Sequence, residues 1–262
     1  MVLMRCTLKT CRTSTPIARP FHRSLTITSA HRSKDDKADF LSTFFATHEP
    51  AQSSIDHFSS VPWTSRILQD ETYQPLPFYS RHPFPPSTEN ALFSSIVSTP
   101  STIPHLLALR HRSLRTPPPL TSGSITTKPA PILPEILLLA SLGPSLSAHP
   151  DIVHGGFQAV LFDEIMRFLI LCHFDNVVQA EGEERRKRPR ERHFTLRMEM
   201  EYLAPVAVGR DVLLRARLER RVGRKWVASA DLVGDEGRVL TRAESLWVTA
   251  KPRGDGESDG VT

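Results

Sequence analysis

The sequence predicts an α+β fold in which one long helix packs against an antiparallel sheet. A continuous apolar run at 136–142 has the length and composition of a buried strand. A nearly all-apolar stretch of about 18 residues begins at Gly155 and predicts a central, buried helix. Strand-like segments then follow as far as residue 249. One helix flanked by strands indicates a sheet that carries the helix on one face.

Turn residues separate the strand-like segments, and this predicts an antiparallel meander. Residues 195–202 alternate, so Leu196, Met198 and Met200 are expected on one face and Thr195 on the other. Further strands are expected at 212–221, 225–234 and 238–249. A single helix leaves edges and part of such a sheet uncovered, so dimerisation is expected.

The charge of the chain argues against a nucleic-acid function. The net charge is +5, from 33 Lys and Arg against 28 Asp and Glu. Residues 1–34 carry seven of the basic residues and no acidic one, so the remainder has 26 basic and 28 acidic residues, a net charge of −2. The three cysteines give neither a disulfide framework nor zinc-ligand spacing, and neither a metal nor a cofactor is predicted.

Four regions are predicted along the chain. Residues 1–34 have the basic, Ser-rich composition of a mitochondrial transit peptide, with a basic disordered tail as the alternative. Residues 35–131 form a helical and irregular N-terminal extension that ends in a Pro-rich linker. The compact domain occupies 132–250, and a polar, disordered tail follows at 251–262.

Within the extension, three short helices are expected, and the segment between the first two is expected to be ordered but irregular. The helices are placed within 35–60, at 89–97 and at 103–109. The irregular segment covers 61–90, where several prolines interrupt any regular pattern.

The start of the long helix combines a backbone donor with an acid. His154, Gly155 and Gly156 stand at the start of the apolar stretch, and the first N–H groups of a helix have no partner within it. Asp163 and Glu164 lie about two turns further on, where apolar surroundings can raise the pKa of a carboxyl group. An N–H donor can stabilise an oxyanion and a carboxylate can activate water, so this stretch is a candidate catalytic site.

Three segments resemble the hotdog-fold thioesterases, in the branch of the phenylacetate-degradation thioesterases and the thioesterase superfamily members. They are HPDIVHGGFQAVLFDEIM from His149, TLRMEMEYLAPVAVG from Thr195, and GRKWVASADLVGDEGRVLTRAESLWV from Gly223. The resemblance covers about 132–250, and the N-terminal third looks like the extension of fungal members. It implies a long central helix wrapped by a curved antiparallel sheet.

The resemblance also implies roles for individual residues. Gly155 would offer a backbone N–H to the thioester carbonyl oxygen, and Gly156 beside it is a candidate substrate contact. Asp163 would activate water or attack directly, and Thr195 would hold that water or steady the carboxylate. His154 would shape the turn and form a hydrogen bond near the carbonyl. In the family the helix of one subunit faces this turn of another, so the site is expected between chains of a homodimer or homotetramer.

Other interpretations of the charged residues stay open. Asp163 stands four residues before Arg167 and could form an ordinary ion pair with it. Glu164 is the rival carboxylate, and both Glu164 and Arg167 are candidate substrate contacts. The basic cluster 185–192 is expected to be a solvated loop; contacts with coenzyme A phosphates, or a role as a polyanion or nuclear-localisation patch, are the alternatives.

The function that the resemblance implies is hydrolysis of acyl-CoA thioesters to the free acid and CoA. The expected compartment is the mitochondrial matrix, or the cytoplasm if residues 1–34 do not direct import. Two alternatives stay open: a non-catalytic acyl-CoA-binding protein on the same fold, and a thioesterase for acyl-carrier-protein thioesters. A nucleic-acid partner is not expected. Stable membrane insertion is not expected either, since a helix of about 18 residues with charged side chains is too short and too charged to span a membrane.

Overall fold

The computed structural model describes residues 37–117 and 134–250. The predicted transit peptide, most of the Pro-rich linker and the predicted tail lie outside these residues. The helices are α1 Phe40–Thr47, α2 Gln52–Ser60, α3 Pro62–Leu68, α4 Gly155–Glu181 and α5 Glu183–Arg186. The strands are β1 Tyr73–Leu76, β2 Leu106–His111, β3 Ile136–Leu142, β4 Ser147–His149, β5 Ile152–Val153, β6 His193–Tyr202, β7 Arg210–Val222, β8 Lys225–Val233 and β9 Val239–Thr249.

Seven strands form one antiparallel sheet in the order β1-β2-β3-β7-β8-β9-β6, and β4 pairs with β5 in a small separate ribbon. Helix α4 lies on one face of the large sheet and contacts β3, β6, β7 and β8. The α+β class and the hotdog arrangement are therefore confirmed. The meander β7-β8-β9 is also confirmed, and Gly223 with a φ of 55° makes the turn between β7 and β8.

The strand β3 is buried along its whole length because both faces of the sheet are covered there. Ile136, Leu138 and Ala140 belong to the core between the sheet and α4. Leu137 and Leu139 face the opposite way and pack with Phe58 of α2. Burial on both faces explains why this segment is a continuous apolar run instead of an alternating one, as its sequence predicted.

The helix α4 is 27 residues long, so the expected length of about 18 residues is wrong. The chain stays helical beyond His173 because polar residues of this part find partners: Ser42 of α1 donates to the Asp175 carboxylate at 2.7 Å and accepts from Gln179 at 2.8 Å. Val178, between them, is fully buried. The helix ends before Gly182, whose φ is 88°. No helix among the described residues is both long enough and apolar enough to cross a membrane.

The N-terminal extension adds to the sheet, and its predicted helix at 103–109 is wrong. This segment enters the strand β2, which pairs with β3 on one side and with β1 on the other. A short apolar run fits a helix and a strand equally well, and here the neighbouring strands decide. The segment expected to be irregular contains α3 and β1. The predicted helix at 89–97 is reduced to one π-helical turn, Leu92–Ile96.

The extension covers α4 and the outer face of the sheet with different parts. Leu41 and Phe44 of α1 belong to the core that contains α4. Phe58 of α2, with Trp63 and Ile67 of α3 beside it, packs on the outer face of the sheet. Helix α1 ends at Thr47, just before Pro50, so the segment expected to hold one short helix is divided into α1 and α2.

A β-bulge in β6 changes the direction of Thr195. Thr195 pairs with Trp247 and Arg197 pairs with Leu246, so Leu196 is the additional residue. Leu196 is 55% exposed, whereas Met198 packs against the core. The expected faces are therefore wrong for Leu196 and Thr195. The bulge inverts the alternation at this point, and it turns the Thr195 side chain towards α4.

Candidate functional site

His154 is the N-cap of α4 and satisfies most of the N–H groups at the helix start. Its imidazole Nδ1 accepts a hydrogen bond from the Gly156 N–H at 2.9 Å. Its carbonyl accepts from the N–H groups of Phe157 and Gln158 at 2.9 and 3.1 Å. The Gly155 N–H has no acceptor among residues 37–117 and 134–250. One backbone donor is thus left for a ligand, at the positive end of the helix dipole.

The ring of Tyr202 lies beside Gly155, at the end of β6. The Tyr202 hydroxyl donates to the Gly155 carbonyl at 3.0 Å, and a Cβ on Gly155 would lie 3.4 Å from the ring. The Tyr202 side chain is 54% exposed. No role was predicted for Tyr202. Its place in the resemblance motif was the only signal in the sequence, because contact with Gly155 depends on how β6 crosses the helix.

Asp163 and Thr195 are brought together by the bulge in β6. The Thr195 Oγ1 donates to the Asp163 Oδ1 at 2.6 Å. Burial raises the pKa of the Asp163 carboxyl above its ordinary value, and the Thr195 hydrogen bond and the charge of Arg167 oppose this rise. A carboxyl group with a raised pKa is a stronger base once it is ionised, so this pair has the chemistry of a general base.

Arg167 is directed away from Asp163, and the ion pair between them that stayed open is not formed. The Arg167 guanidinium lies 3.6 Å from Glu164 and 3.4 Å from Glu89. It also donates to the Ser80 hydroxyl at 3.2 Å. Arg167 therefore acts on Asp163 only through the electric field of its charge, without direct contact.

Glu164, the rival carboxylate, is engaged on the side of the helix that the extension covers. Its carboxylate accepts a hydrogen bond from the Ser80 hydroxyl and forms an ion pair with Arg167. Burial raises the pKa of Glu164, and these two contacts oppose that rise. Since both partners already occupy its carboxylate, Glu164 is less available to a water molecule than Asp163 is.

The predicted site residues form two groups within one chain. His154, Gly155 and Gly156 stand at the start of α4, and Asp163 with Thr195 lies eight residues further on. At the usual helical rise this separates the Gly155 amide from Asp163 by about 12 Å. Both groups lie on the part of α4 that is not fully buried, on the same side as the edge strand β6. A single chain therefore does not bring the donor and the carboxylate to one reacting atom.

The basic cluster 185–192 is only partly a solvated loop. Arg185 pairs with Glu181 at 3.1 Å and with Glu191 at 2.7 Å. The Arg190 side chain is 8% exposed and pairs with Glu89 at 2.7 Å, so the expectation of a solvated loop is wrong for this residue. Among the described residues, no group of three or more His, Cys, Asp or Glu side chains is placed to hold a metal ion.

Comparisons with known proteins identify the region around the site. The family model described as "Thioesterase superfamily" matches residues 151–241. This range begins just before the helix cap and contains Asp163, Thr195 and most of the meander. No curated protein matches the chain.

Three solved structures share weak similarity with the fold. One is a thioesterase superfamily protein (20% identity, 43% of this chain, 50% of that chain, TM-score 0.34). The second is the E. coli PaaI protein from the phenylacetic acid degradation operon (11%, 44%, 72%, 0.36), and the third is zebra fish thioesterase superfamily member 2 (15%, 46%, 77%, 0.35). The chain spans half the length of the first of these proteins. The match of residues 151–241 to the thioesterase superfamily model confirms the resemblance that the sequence motifs predicted.

Proposed function

We propose that the chain hydrolyses acyl-CoA thioesters to the free acid and CoA, with Asp163 as the general base and the Gly155 N–H as the oxyanion donor. One observation supports this most directly: within a thioesterase-superfamily region, Asp163 is held by Thr195 at 2.6 Å and not by the nearby Arg167. An acid with a purely structural role would be expected to take the arginine four residues away as its partner.

In the proposed reaction the Asp163 carboxylate removes a proton from water while the hydroxide attacks the thioester carbonyl carbon. The negative charge on the carbonyl oxygen is stabilised by the Gly155 N–H, a contribution of about 3 kcal/mol for one such donor. The intermediate collapses by breaking the carbon–sulfur bond, and the CoA thiolate takes the proton back from Asp163. Direct attack by Asp163 would form an anhydride and is the alternative route to the same products.

We propose that the complete site forms between two copies of the chain. The strand β6 is an edge of the sheet, and it exposes Phe194 and Leu196 at 37% and 55%. An open edge of ten residues is a surface that another strand can pair with. A second copy that pairs there by two-fold symmetry would bring its own helix start towards Asp163. Helices α2 and α3 cover part of the outer face of the sheet, which favours a dimer over a tetramer built on that face.

The activity is tested with the purified full-length chain and a panel of acyl-CoA esters that differ in chain length and polarity, with thiol release as the readout. We expect turnover by the wild-type chain and a loss of about 100- to 10,000-fold in Asp163→Asn. The Glu164→Gln variant is the matched control for the rival carboxylate. Loss in Glu164→Gln with full activity in Asp163→Asn would move the general-base role to Glu164.

The same panel separates the two alternative functions. Stabilisation of the wild-type chain by acyl-CoA without any thiol release would identify a binding protein. Turnover of acyl-carrier-protein thioesters, with no turnover of the same acyl groups on CoA, would identify a carrier-protein thioesterase. Either result would contradict the proposed substrate.

We also propose import into mitochondria, because residues 1–34 are basic and Ser-rich and have no acidic residue. A fluorescent protein fused behind these residues is expected to co-localise with a mitochondrial marker. A fusion that stays in the cytoplasm would contradict import.

A further inference from the structure

Part of the N-terminal extension packs against the side of α4 that carries Glu164 and Arg167. Ser80 donates to Glu164 and accepts from Arg167, so it bridges the two helix side chains. The next residue, Arg81, donates to the carbonyls of Phe93 and Ile103 at 3.1 and 2.6 Å. The Arg81 side chain therefore ties three parts of the extension together, and the extension presents a fixed surface to the helix.

Glu89 of the same segment is held in place by three contacts. Arg190 donates to Glu89 Oε1 at 2.7 Å and to Oε2 at 3.2 Å. The Tyr79 hydroxyl donates to Glu89 at 3.2 Å. The Arg190 guanidinium in turn lies 3.7 Å from the centre of the Phe40 ring. Because its partners are packed, the Glu89 carboxylate is a fixed negative charge. Burial raises its pKa, but the charge and the hydrogen bond of Arg190 outweigh burial, so the pKa of Glu89 is lowered.

Two carboxylates on the same helix are close enough in sequence to form an ion pair with the Arg167 guanidinium. Asp163 stands four residues before it and Glu164 three residues before it, and both spacings permit an ion pair. The contacts of Arg167 with Glu89, Ser80 and Glu164 at 3.4, 3.2 and 3.6 Å all lie on one side. Glu89 and Ser80 belong to the extension, so the extension determines which of the two carboxylates Arg167 contacts.

We infer that Glu89 is a positioning residue for thioester hydrolysis, which holds the Arg167 guanidinium away from the Asp163 carboxylate and so leaves that carboxylate for water. This inference rests on the proposed function and assigns the extension a part in it.

The electrostatic consequence follows from the groups that act on Asp163. They are the Thr195 hydroxyl on β6, which donates to it, and the charges of Arg167 and Glu164 on α4, which act on it without direct contact. Glu89 and Ser80 of the extension contact Arg167, and Arg190 contacts Glu89. An arginine in direct contact lowers the pKa of a carboxyl group by about one to three units. Contact with Arg167 would therefore make Asp163 a weaker base and would also occupy the oxygen that water needs.

The inference is tested by the pH dependence of kcat/KM for the full-length wild-type chain and for Glu89→Gln. In the variant Arg167 loses its charged partner on the extension and can turn to Asp163. We expect the acidic limb of the profile to move to lower pH by about one unit, and the plateau to fall by about tenfold. The Glu71→Gln variant removes an exposed carboxylate elsewhere in the extension, and it is the matched control, expected to keep the wild-type profile.

Arg167→Gln gives the opposite sign and keeps the test valid if Glu89→Gln loses stability. Without the positive charge, the acidic limb is expected to move to higher pH. In the double variant Glu89→Gln, Arg167→Gln, the profile is expected to match that of Arg167→Gln alone, because Glu89 would act only through Arg167. A merely structural loss would lower the rate at every pH and would not disappear in the Arg167→Gln background.

A carbon NMR titration of the Asp163 carboxyl separates this inference from the proposed function, because it does not depend on turnover. We expect a lower pKa for Asp163 in Glu89→Gln than in the wild-type chain. Turnover by the wild-type chain with an unchanged Asp163 titration in Glu89→Gln would overturn the positioning role alone. No turnover by the wild-type chain on any thioester would overturn the proposed function and, with it, this role.

Discussion

Thr195 and Asp163 are 32 positions apart in the sequence, and their side chains meet at 2.6 Å across the contact between β6 and α4. The contact depends on the bulge at Leu196, without which Thr195 would point to the outer face of the sheet. Bulges re-aim single side chains and are frequent next to active sites. The irregularity of β6 is thus what gives the half-buried Asp163 its hydroxyl partner.

Thr195→Val keeps the branched shape of the side chain and removes the hydrogen bond. Since this bond lowers the pKa of Asp163, its loss is expected to raise that pKa and to move the acidic limb of the rate profile to higher pH. We expect the rate at neutral pH to fall by about tenfold. Thr195→Ser keeps a hydroxyl and should stay close to wild type. Equal loss in the valine and serine variants would show that the hydroxyl is not the important group.

Asp163→Asn is expected to raise the thermal stability at pH 7 while it abolishes turnover. The pKa of Asp163 is raised in the folded chain, so the folded state binds its proton more tightly than the unfolded state. Stability is therefore lost as the pH rises through the interval between the two pKa values, and a neutral side chain escapes that loss. Calorimetry at pH 7 should show a higher Tm for Asp163→Asn than for wild type, and a smaller difference at pH 4. A lower Tm at pH 7 would contradict a destabilising charge.

Gly155→Pro removes the proposed oxyanion donor at small structural cost. Proline is well accepted at the first position of a helix, and the φ and ψ of His154, −57° and 128°, suit a residue before proline. We expect a loss of about 100- to 1,000-fold in kcat. Gly155→Ala adds a Cβ in the same direction, 3.4 Å from the Tyr202 ring, and keeps the N–H. It is the matched control, and it should retain far more activity than the proline variant; equal losses would assign the effect to bulk.

The folded chain is expected to lose stability in mild acid through His193. Burial and the nearby Arg190 and Arg167 lower the pKa of His193 from its ordinary 6.5 to about 3. In this pH range the unfolded chain binds a proton at His193 and the folded chain does not. The free energy of unfolding therefore falls as the pH drops from about 6.5 towards 3. Urea unfolding at pH 7.5 and pH 5 should show a smaller difference for His193→Gln than for wild type. The exposed His149→Gln is the control, and an unchanged difference in His193→Gln would contradict this origin.

The regular part of the fold could be predicted because its signals are local. The apolar stretch of α4, the alternation in β6 and the turn at Gly223 each indicate one kind of structure. The extension could not be predicted in the same way, since β2 is a strand only because β1 and β3 lie on either side of it. The full length of α4 was also missed, because the partner that stabilises Asp175 is Ser42, far away in the sequence.

The candidate site shows the same division. The helix cap and the helix acids can be found from spacing and from the family motif. The contacts of the charged side chains on the helix cannot be found in this way. Arg167 has Asp163 and Glu164 within reach on its own helix. Its actual contacts depend on Glu89 and Ser80, which belong to a segment with no catalytic motif. Such long-range contacts are decided by packing, and the sequence alone gives no sign of them.

A subunit-mixing experiment tests most directly whether the carboxylate of one chain works with the helix amide of another. Asp163→Asn and Gly155→Pro, each nearly inactive alone, are co-expressed, and acyl-CoA hydrolysis by the mixed population is measured. Random pairing makes half of the dimers mixed, and each mixed dimer regains one of its two sites, so we expect about a quarter of the wild-type rate. If the mixture stays as inactive as the separate variants, the carboxylate and the amide do not act across two chains.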